Sequence, residues 1–276
     1  MRILIVSDIH ANRVALEAIQ ERFDICLCLG DLVEYGPSPG ACIAWVRQHA
    51  TATVRGNHDH GVIQRVDVQA TSGFKYLTQA TRAITFQQLS TSDRQFLAEL
   101  PTSVMMSIAG KRFLLVHASP RDPMDEYVPT TEEAWATRLA GLRVDYCLVG
   151  HTHQQFCLSV DRTTVINPGS VGLQRDGTVD ARYAMIVDGA VELRHVPYDI
   201  EQAIRDFEAF PIDDRARRMI EDVYRHGRLR SPTDYPLSMS QQDTPGSKNG
   251  TGLPSIRKIS DLAVSSAAPA LTSQPR

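Results

Sequence analysis

Seven side chains with the chemistry of metal ligands lie beside small residues in the first two thirds of the sequence. They are two aspartates, one asparagine and four histidines: Asp8, His10, Asp31, Asn57, His117, His151 and His153. Carboxylate, amide and imidazole groups together suit Mn²⁺, Fe or Zn²⁺ and suit Cu⁺ poorly, because Cu⁺ prefers thiolates. One tetrahedral zinc site with an open position is too small for seven ligands. Two metal sites accommodate them if one carboxylate bridges the two ions.

The chemistry that such a two-metal site favours is displacement at phosphorus. Two ions about 3.5 to 4 Å apart stabilise the attacking and the leaving oxygen together. Each residue alone has a plainer interpretation, since Gly-Asp is a common turn and a histidine at a strand end is usually a surface residue. The conjunction of all seven predicts phosphoester hydrolysis.

Each of these side chains follows a predicted buried strand. The five apolar runs that precede them are RILIVSD, DICLCLG, TATVRG, FLLVHA and DYCLVG. In open α/β sheets the carboxyl ends of the strands border one crevice, so residues distant in sequence would meet there. Strands and amphipathic helices alternate in the first half of the chain, which predicts a mostly parallel sheet.

Several element boundaries are also predicted. Residues 12–23 are expected to form the first helix, opened by Asn12. Thr91 or Ser92 is expected to cap a later helix. A turn at Ala109-Gly110 predicts a hairpin, after which antiparallel pairing becomes more frequent.

Composition limits the classes of function. The chain has 276 residues, of which 42% are hydrophobic, and a formal charge of -3, so it has no general attraction for nucleic acid or anionic membranes. No signal peptide or membrane-spanning run is recognisable, and we expect a cytoplasmic protein. Five cysteines do not suggest a disulfide framework, and Cys26 and Cys28 are expected to be buried thiols.

The sequence predicts one catalytic domain and a tail. Residues 1–228 are expected to form the domain, which ends in two helical stretches. Residues 229–276 are rich in Ser, Pro, Gly, Gln and Thr, with Tyr235 as their single aromatic residue. This composition predicts a disordered C-terminal tail.

Six motifs in fixed order resemble the signature blocks of the calcineurin-like metallophosphoesterase family. They are SDIHAN, GDLVEYG, RGNHD, VHAS, GHTH and NPGSVG, within residues 3–172. The resemblance implies a four-layer α/β/β/α sandwich, with two mixed β-sheets flanked by helices, and a binuclear metal centre. By this resemblance Asp8, His10, Asp31 and His153 bind one metal, Asp31 bridges, and Asn57, His117 and His151 bind the second.

The same resemblance assigns roles around the reacting phosphate. A hydroxide bridging two divalent ions would attack phosphorus, and His58 would protonate the leaving group as general acid. Mn²⁺ is the expected ion, with Fe, Zn²⁺, Co²⁺ or Ni²⁺ as alternatives. Family protein phosphatases read GDxxDRG where this chain reads GDLVEYG, so Glu34 would support His58 while Tyr35 supplies no cation. This departure argues against a phosphoprotein substrate.

Two further residues are candidates for substrate binding. Asn12 lies beside the first predicted ligands, and the guanidinium of Arg121 could hold a phosphate bidentately. A surface salt bridge is an equally good interpretation of Arg121.

The leading hypothesis is a metal-dependent hydrolase of phosphomonoesters, phosphodiesters or nucleotides, with a small phosphoester or nucleotide as its partner. One alternative is a non-catalytic metal-binding scaffold of the same fold. A nuclease is another, although the sequence lacks a basic stripe for an extended nucleic-acid footprint. The physiological substrate, the native metal and the oligomeric state are left open by the sequence.

Overall fold

Two five-stranded β-sheets form the centre of the protein. A computed structural model of the chain describes residues 1–235. The strands are β1 (Arg2–Val6), β2 (Ile25–Cys28), β3 (Ala52–Thr53), β4 (Ser103–Ile108), β5 (Lys111–Val116), β6 (Tyr146–Leu148), β7 (Phe156–Val160), β8 (Thr163–Asn167), β9 (Ala181–Val187) and β10 (Ala190–Val196). The first sheet has the order β10-β9-β1-β2-β3 and the second the order β4-β5-β6-β8-β7. Both are mixed, because β1 and β5 each have one parallel and one antiparallel neighbour.

Helices cover the outer faces of both sheets. They are α1 (Arg13–Glu17), α2 (Pro39–His49), α3 (Asn57–Ile63), α4 (Gly73–Gln88), α5 (Thr91–Glu99), α6 (Glu132–Leu139), α7 (Ile200–Arg205) and α8 (Asp214–His226). Helices α1, α2 and α5 pack on the first sheet, and α6 packs on the second. Helices α4, α7 and α8 share a separate apolar cluster. The predicted α/β/β/α sandwich is therefore confirmed.

Strand β1 shows why this sequence forms an inner strand. Ile3 and Ile5 point to the second sheet, where they share a cluster with Leu115, while Leu4 and Val6 pack towards the helices. Successive side chains of a strand point to opposite faces, so a strand buried on both faces has a continuous apolar sequence. Burying each such side chain contributes about 1.5 to 3 kcal/mol, which holds β1 between its two layers.

Two local predictions differ from the structure, and one helix was not predicted. Helix α1 ends at Glu17, well before the expected end at residue 23. Ser90, and not Thr91 or Ser92, caps α5, because its hydroxyl accepts the amide of Asp93 and Asp93 binds back in a capping box. The helix without a counterpart among the predictions is α3, which follows Gly56.

Residues 229–235 are the part of the predicted tail that the structure describes, and they pack against the domain. Tyr235 is 3% exposed, and its hydroxyl donates to Asp222 over 2.7 Å. Arg230 also pairs with Asp222 through its guanidinium. This packing differs from the disorder expected from residue 229, because the tyrosine buries both its ring and its hydroxyl. Residues 236–276 of the predicted tail lie outside the described residues, and the boundary after residue 228 stays a prediction.

Two further predictions concern thiols and membranes. Cys26 and Cys28 are free and buried, as expected for thiols of an inner strand. Within residues 1–235 no helix is long and apolar enough to cross a membrane.

Candidate metal centre

The seven predicted ligands lie together in one buried polar cluster. They are carried by the segments that follow β1 (Asp8, His10), β2 (Asp31), β3 (Asn57), β5 (His117) and β6 (His151, His153). Three of these strands belong to the first sheet and two to the second. All of these residues except Asn57 are at most 4% exposed. The cluster therefore lies where the two sheets meet, at the carboxyl ends of their parallel strands.

The backbone of these segments is locally strained. Left-handed φ angles occur at Asp8 (52°), His10 (47°), Asp31 (54°), Glu34 (67°), His151 (65°) and His153 (61°). Residues other than glycine rarely adopt this region, at a cost of order 1 to 3 kcal/mol each. Such conformations persist only where the surroundings hold them, and they concentrate at functional sites. The segments are thus shaped to aim these side chains into the cluster.

Two glycines allow the segments to approach one another. A Cβ on Gly56 would lie 2.0 Å from Asp31 Oδ1, and a Cβ on Gly150 would lie 1.9 Å from Ser7 Oγ. Neither position has room for a side chain. Gly56 therefore brings the start of α3 against Asp31, and Gly150 brings the segment after β6 against the segment after β1.

Backbone carbonyls determine which nitrogen of three histidines carries the proton. A carbonyl oxygen only accepts hydrogen bonds, so a ring nitrogen bound to it must donate. In the neutral imidazole the opposite nitrogen, Nε2, then carries a free lone pair. The Nδ1-to-carbonyl pairs are His10 with Val33 (3.1 Å), His117 with Leu29 (2.7 Å) and His153 with Leu173.

The free lone pairs face other acceptors at short distance. The contacts are His10 Nε2 to His153 Nε2, His153 Nε2 to Asp8 Oδ1, His117 Nε2 to Asp31 Oδ2 and His117 Nε2 to Asn57 Oδ1, each 3.2 Å. Lone pairs that face each other repel unless a proton or a metal ion lies between them. Although burial opposes it, Asp31 and Asp8 raise the pKa of His117 to about 10, which shows how strongly they favour positive charge there.

Two buried atoms of the cluster lack hydrogen-bond partners among the described residues. They are Asp8 Oδ1 and His151 Nε2. An unsatisfied buried polar atom costs about 1 to 3 kcal/mol, so such atoms are rare without a ligand. Burial, and then the nearby His117, lower the pKa of His151 to about 4, which keeps its imidazole neutral at pH 7. The donor set, the facing lone pairs and these orphaned atoms fit divalent metal ions.

His58 has a different environment from the other histidines of the cluster. Its Nδ1 hydrogen-bonds the carboxylate of Glu34, which is completely buried. Burial lowers the pKa of His58, but Asp31 and Glu34 outweigh burial and raise it above its usual value. His58 Nε2 lies 4.0 Å from Asp31 Oδ2, so distance alone also permits a ligand role. The carboxylate partner favours a proton donor, since a protonated imidazole does not coordinate metal.

Arg82 is a functional residue that the sequence analysis missed. Its guanidinium pairs with Glu34, and Nη1 donates to the carbonyl of Val66 over 3.0 Å. A buried carboxylate requires a compensating partner, and Arg82 provides it together with His58. Arg82 lies on α4, 48 positions from Glu34, so no local spacing in the sequence indicates the pair.

Asp59 was also missed. It is fully buried and accepts the backbone amides of Asp31 (2.9 Å), Leu32 (2.9 Å) and Gly56 (3.0 Å). It therefore ties the segment after β2 to the start of α3. Its place at the third position of a helix, where acidic residues bind exposed amides, was the available signal.

The two substrate-binding candidates from the sequence have other partners. Asn12 is 2% exposed, caps α1 by accepting the amide of Ala15 (3.1 Å), and donates to Gly172 (3.1 Å). The side chain of Arg121 is 69% exposed and pairs with Glu126, which is the surface salt bridge considered as its alternative. Neither side chain lines the cleft above the cluster. Local hydrogen bonds thus occupy the polar groups of both residues, and their role in substrate binding stays a prediction.

A cleft of about 590 Å³ opens above the cluster. Its wall includes Asn57, His58 and His151, together with Arg175 and Tyr127. Tyr127 is 62% exposed, and the centroid of its ring lies 4.2 Å from that of His151. The cleft therefore gives a small molecule access to the predicted second-metal ligands and to His58.

Comparison with known proteins finds similarity over most of the chain. Residues 1–189 match the model of the calcineurin-like phosphoesterase superfamily domain. An uncharacterized protein of Methanocaldococcus jannaschii is 30% identical over 229 residues, which are 73% of this chain and 89% of that protein.

Two crystal structures are similar over most of their length. A metallophosphoesterase from Sphaerobacter thermophilus is 31% identical, with a TM-score of 0.67 and coverage of 82% of this chain and 99% of that one. A hypothetical protein from Pyrococcus horikoshii is 20% identical, with a TM-score of 0.70 and coverage of 83% and 99%, and supports the fold alone. Residues 1–189 match this family model, and the aspartates and histidines form a buried cluster that could hold metal. This chain therefore belongs to the calcineurin-like phosphoesterase superfamily.

Proposed function

We propose that the protein is a binuclear metal-dependent phosphohydrolase that acts on small phosphoesters or nucleotides. The observation that carries this proposal is the set of 3.2 Å contacts between acceptors, which form one group at Asp8, His10 and His153 and a second at Asp31, Asn57 and His117. Asp8, His10, Asp31 and His153 would hold one ion, and Asp31, Asn57, His117 and His151 the other. Two such ions neutralise phosphate oxygens and acidify water, and Mn²⁺ is the expected ion, with Fe, Zn²⁺, Co²⁺ or Ni²⁺ as alternatives.

The residues around His58 would supply the proton for the leaving group. Glu34 holds His58 Nδ1, so Nε2 faces the cleft side of the cluster, 3.4 Å from the hydroxyl of Tyr35. Arg82 forms an ion pair with Glu34, which compensates the burial of this carboxylate. His58 would then donate from Nε2 to the departing oxygen as a general acid.

The cleft favours a nucleotide among the small phosphoesters. Its volume of about 590 Å³ suits a small molecule. Tyr127 presents an exposed ring beside His151, and a base could stack on it. The formal charge of -3 gives no support for an extended nucleic-acid or membrane partner. We therefore propose a cytoplasmic enzyme for small molecules over a nuclease.

The alternative is a scaffold that keeps the fold without catalysis. A scaffold has no need for a proton donor that is oriented by a buried carboxylate, and this chain keeps both His58 and Glu34 in contact. Six positions in the segments that carry the cluster have a strained backbone, which likewise favours an enzyme over a scaffold.

A turnover assay decides between these functions. The purified protein is freed of metal, reloaded separately with Mn²⁺, Fe²⁺, Co²⁺ and Zn²⁺, and assayed on nitrophenyl phosphate, bis-nitrophenyl phosphate and nucleotides. Metal-dependent hydrolysis that is strongest for a nucleotide is expected. Absence of turnover with every metal, in protein shown to have bound two ions, would favour the scaffold.

A further inference from the structure

The cleft contains a cation that the sequence analysis did not identify. Tyr35 stands where family protein phosphatases carry a phosphate-binding arginine, and Arg121 lies outside the cleft. Arg175, in contrast, lines the same cleft as Asn57 and His58. It follows β8, so it approaches the cluster from the second sheet.

The backbone that carries Arg175 is bound to the metal cluster. Ser170 donates from Oγ to the carbonyl of Asp8 (2.8 Å), and the carbonyl of Leu173 accepts the Nδ1 proton of His153. Gln174 is 1% exposed and holds the turn through its own bonds to Ser170 and Val171. Arg175 is therefore placed by the same segment that orients a predicted metal ligand.

The guanidinium of Arg175 is oriented but not neutralised. It lies over the ring of Phe74, with 4.5 Å between its central carbon and the ring centroid. Within the described residues its Nε is buried without a hydrogen-bond partner, and no carboxylate forms a salt bridge with it.

We propose that Arg175 binds a non-bridging oxygen of the substrate phosphate. This inference rests on the proposed phosphohydrolase function and assigns the phosphate-binding cation to the segment after β8. A guanidinium held flat against an aromatic ring keeps its planar array of donors in one orientation, which suits the bidentate geometry of phosphate. An unpaired cation at the cleft wall also attracts anionic substrates to a protein whose net charge is negative.

Binding of inorganic phosphate tests this assignment directly. Calorimetric titrations use the Mn²⁺-loaded protein and the variants Arg175→Ala and Arg175→Lys, with metal content measured for each. Arg94→Ala is the matched control, because Arg94 also stacks on a phenylalanine, Phe86, at 4.7 Å but does not line this cleft. We expect Arg175→Ala to weaken phosphate binding about 10- to 100-fold with unchanged metal content, Arg175→Lys to recover part of the loss, and Arg94→Ala to match the wild type.

Failure of this inference is distinguishable from failure of the proposed function. Equal phosphate affinity in the wild type and Arg175→Ala, or no phosphate binding by the wild type, would overturn the assignment. Turnover of nitrophenyl phosphate is measured in the same preparations, where Arg175→Ala should raise KM by a similar factor. If no protein turns over substrate but phosphate binding still depends on Arg175, the proposed function is overturned and the phosphate site is supported.

Discussion

At the scale of single residues, the histidines of the cluster differ in the group that their Nδ1 atom contacts. His10, His117 and His153 donate to backbone carbonyls, which frees Nε2 as a lone pair for a metal ion. His58 instead binds Glu34, whose negative charge favours the protonated imidazole. Under the proposed function, the same type of side chain would therefore serve two chemical roles within one cluster.

The role of Glu34 leads to a test that separates proton donation from metal binding. Glu34→Gln removes the charge that favours protonated His58, so hydrolysis of alkyl phosphates should fall about 10- to 100-fold. Nitrophenyl phosphate should be affected much less, because its leaving group departs as an anion. Turnover of both substrates is measured beside metal content, with Glu21→Gln as control, since Glu21 also binds an arginine, Arg194, outside the cleft. Loss of bound metal, or equal losses for both substrates, would contradict this role.

At the scale of the elements, the site depends on contacts between segments that the sequence does not show. The succession of strands along the chain and the metal-capable residues after them were predictable, because apolar runs and such polar residues are local signals. Arg82 and Asp59 were not predictable in their roles, since each acts on a residue at least 27 positions away. The local hydrogen bonds of Asn12 and Arg121 were not predictable either, because motif spacing does not reveal which partner a side chain binds.

The contact between the segment after β2 and helix α3 depends on Asp59. Asp59→Asn replaces a carboxylate that accepts three backbone amides with an amide that has one acceptor oxygen. We expect a loss of about 2 to 3 kcal/mol in the free energy of unfolding, measured by urea denaturation in the presence of a chelator. Asp93→Asn is the matched control, because Asp93 occupies the same helix position in α5 but is partly exposed. Asp93→Asn should lower the free energy of unfolding by about 1 kcal/mol or less. Equal losses in the two variants would contradict the special role of Asp59.

At the scale of the whole molecule, the site joins the two sheets. Asp8, His10 and Asp31 come from the first sheet, and His117 and His153 come from the second. The apolar core between the sheets sets their separation, and the cluster occupies the edge where that core ends. The fold was predictable from the order of the motifs, whereas the 3.2 Å contacts across the two sheets depend on packing that only the structure shows.

The most direct test of the central claim is the position of metal ions in the protein. Crystals grown with Mn²⁺ are measured at the manganese absorption edge, and the anomalous difference density is calculated. We expect two peaks separated by about 3.5 to 4 Å, one beside His10 and His153 and the other beside His117 and His151, with Asp31 contacting both. A single peak, a peak coordinated by His58 Nε2, or no peak within this cluster would contradict it.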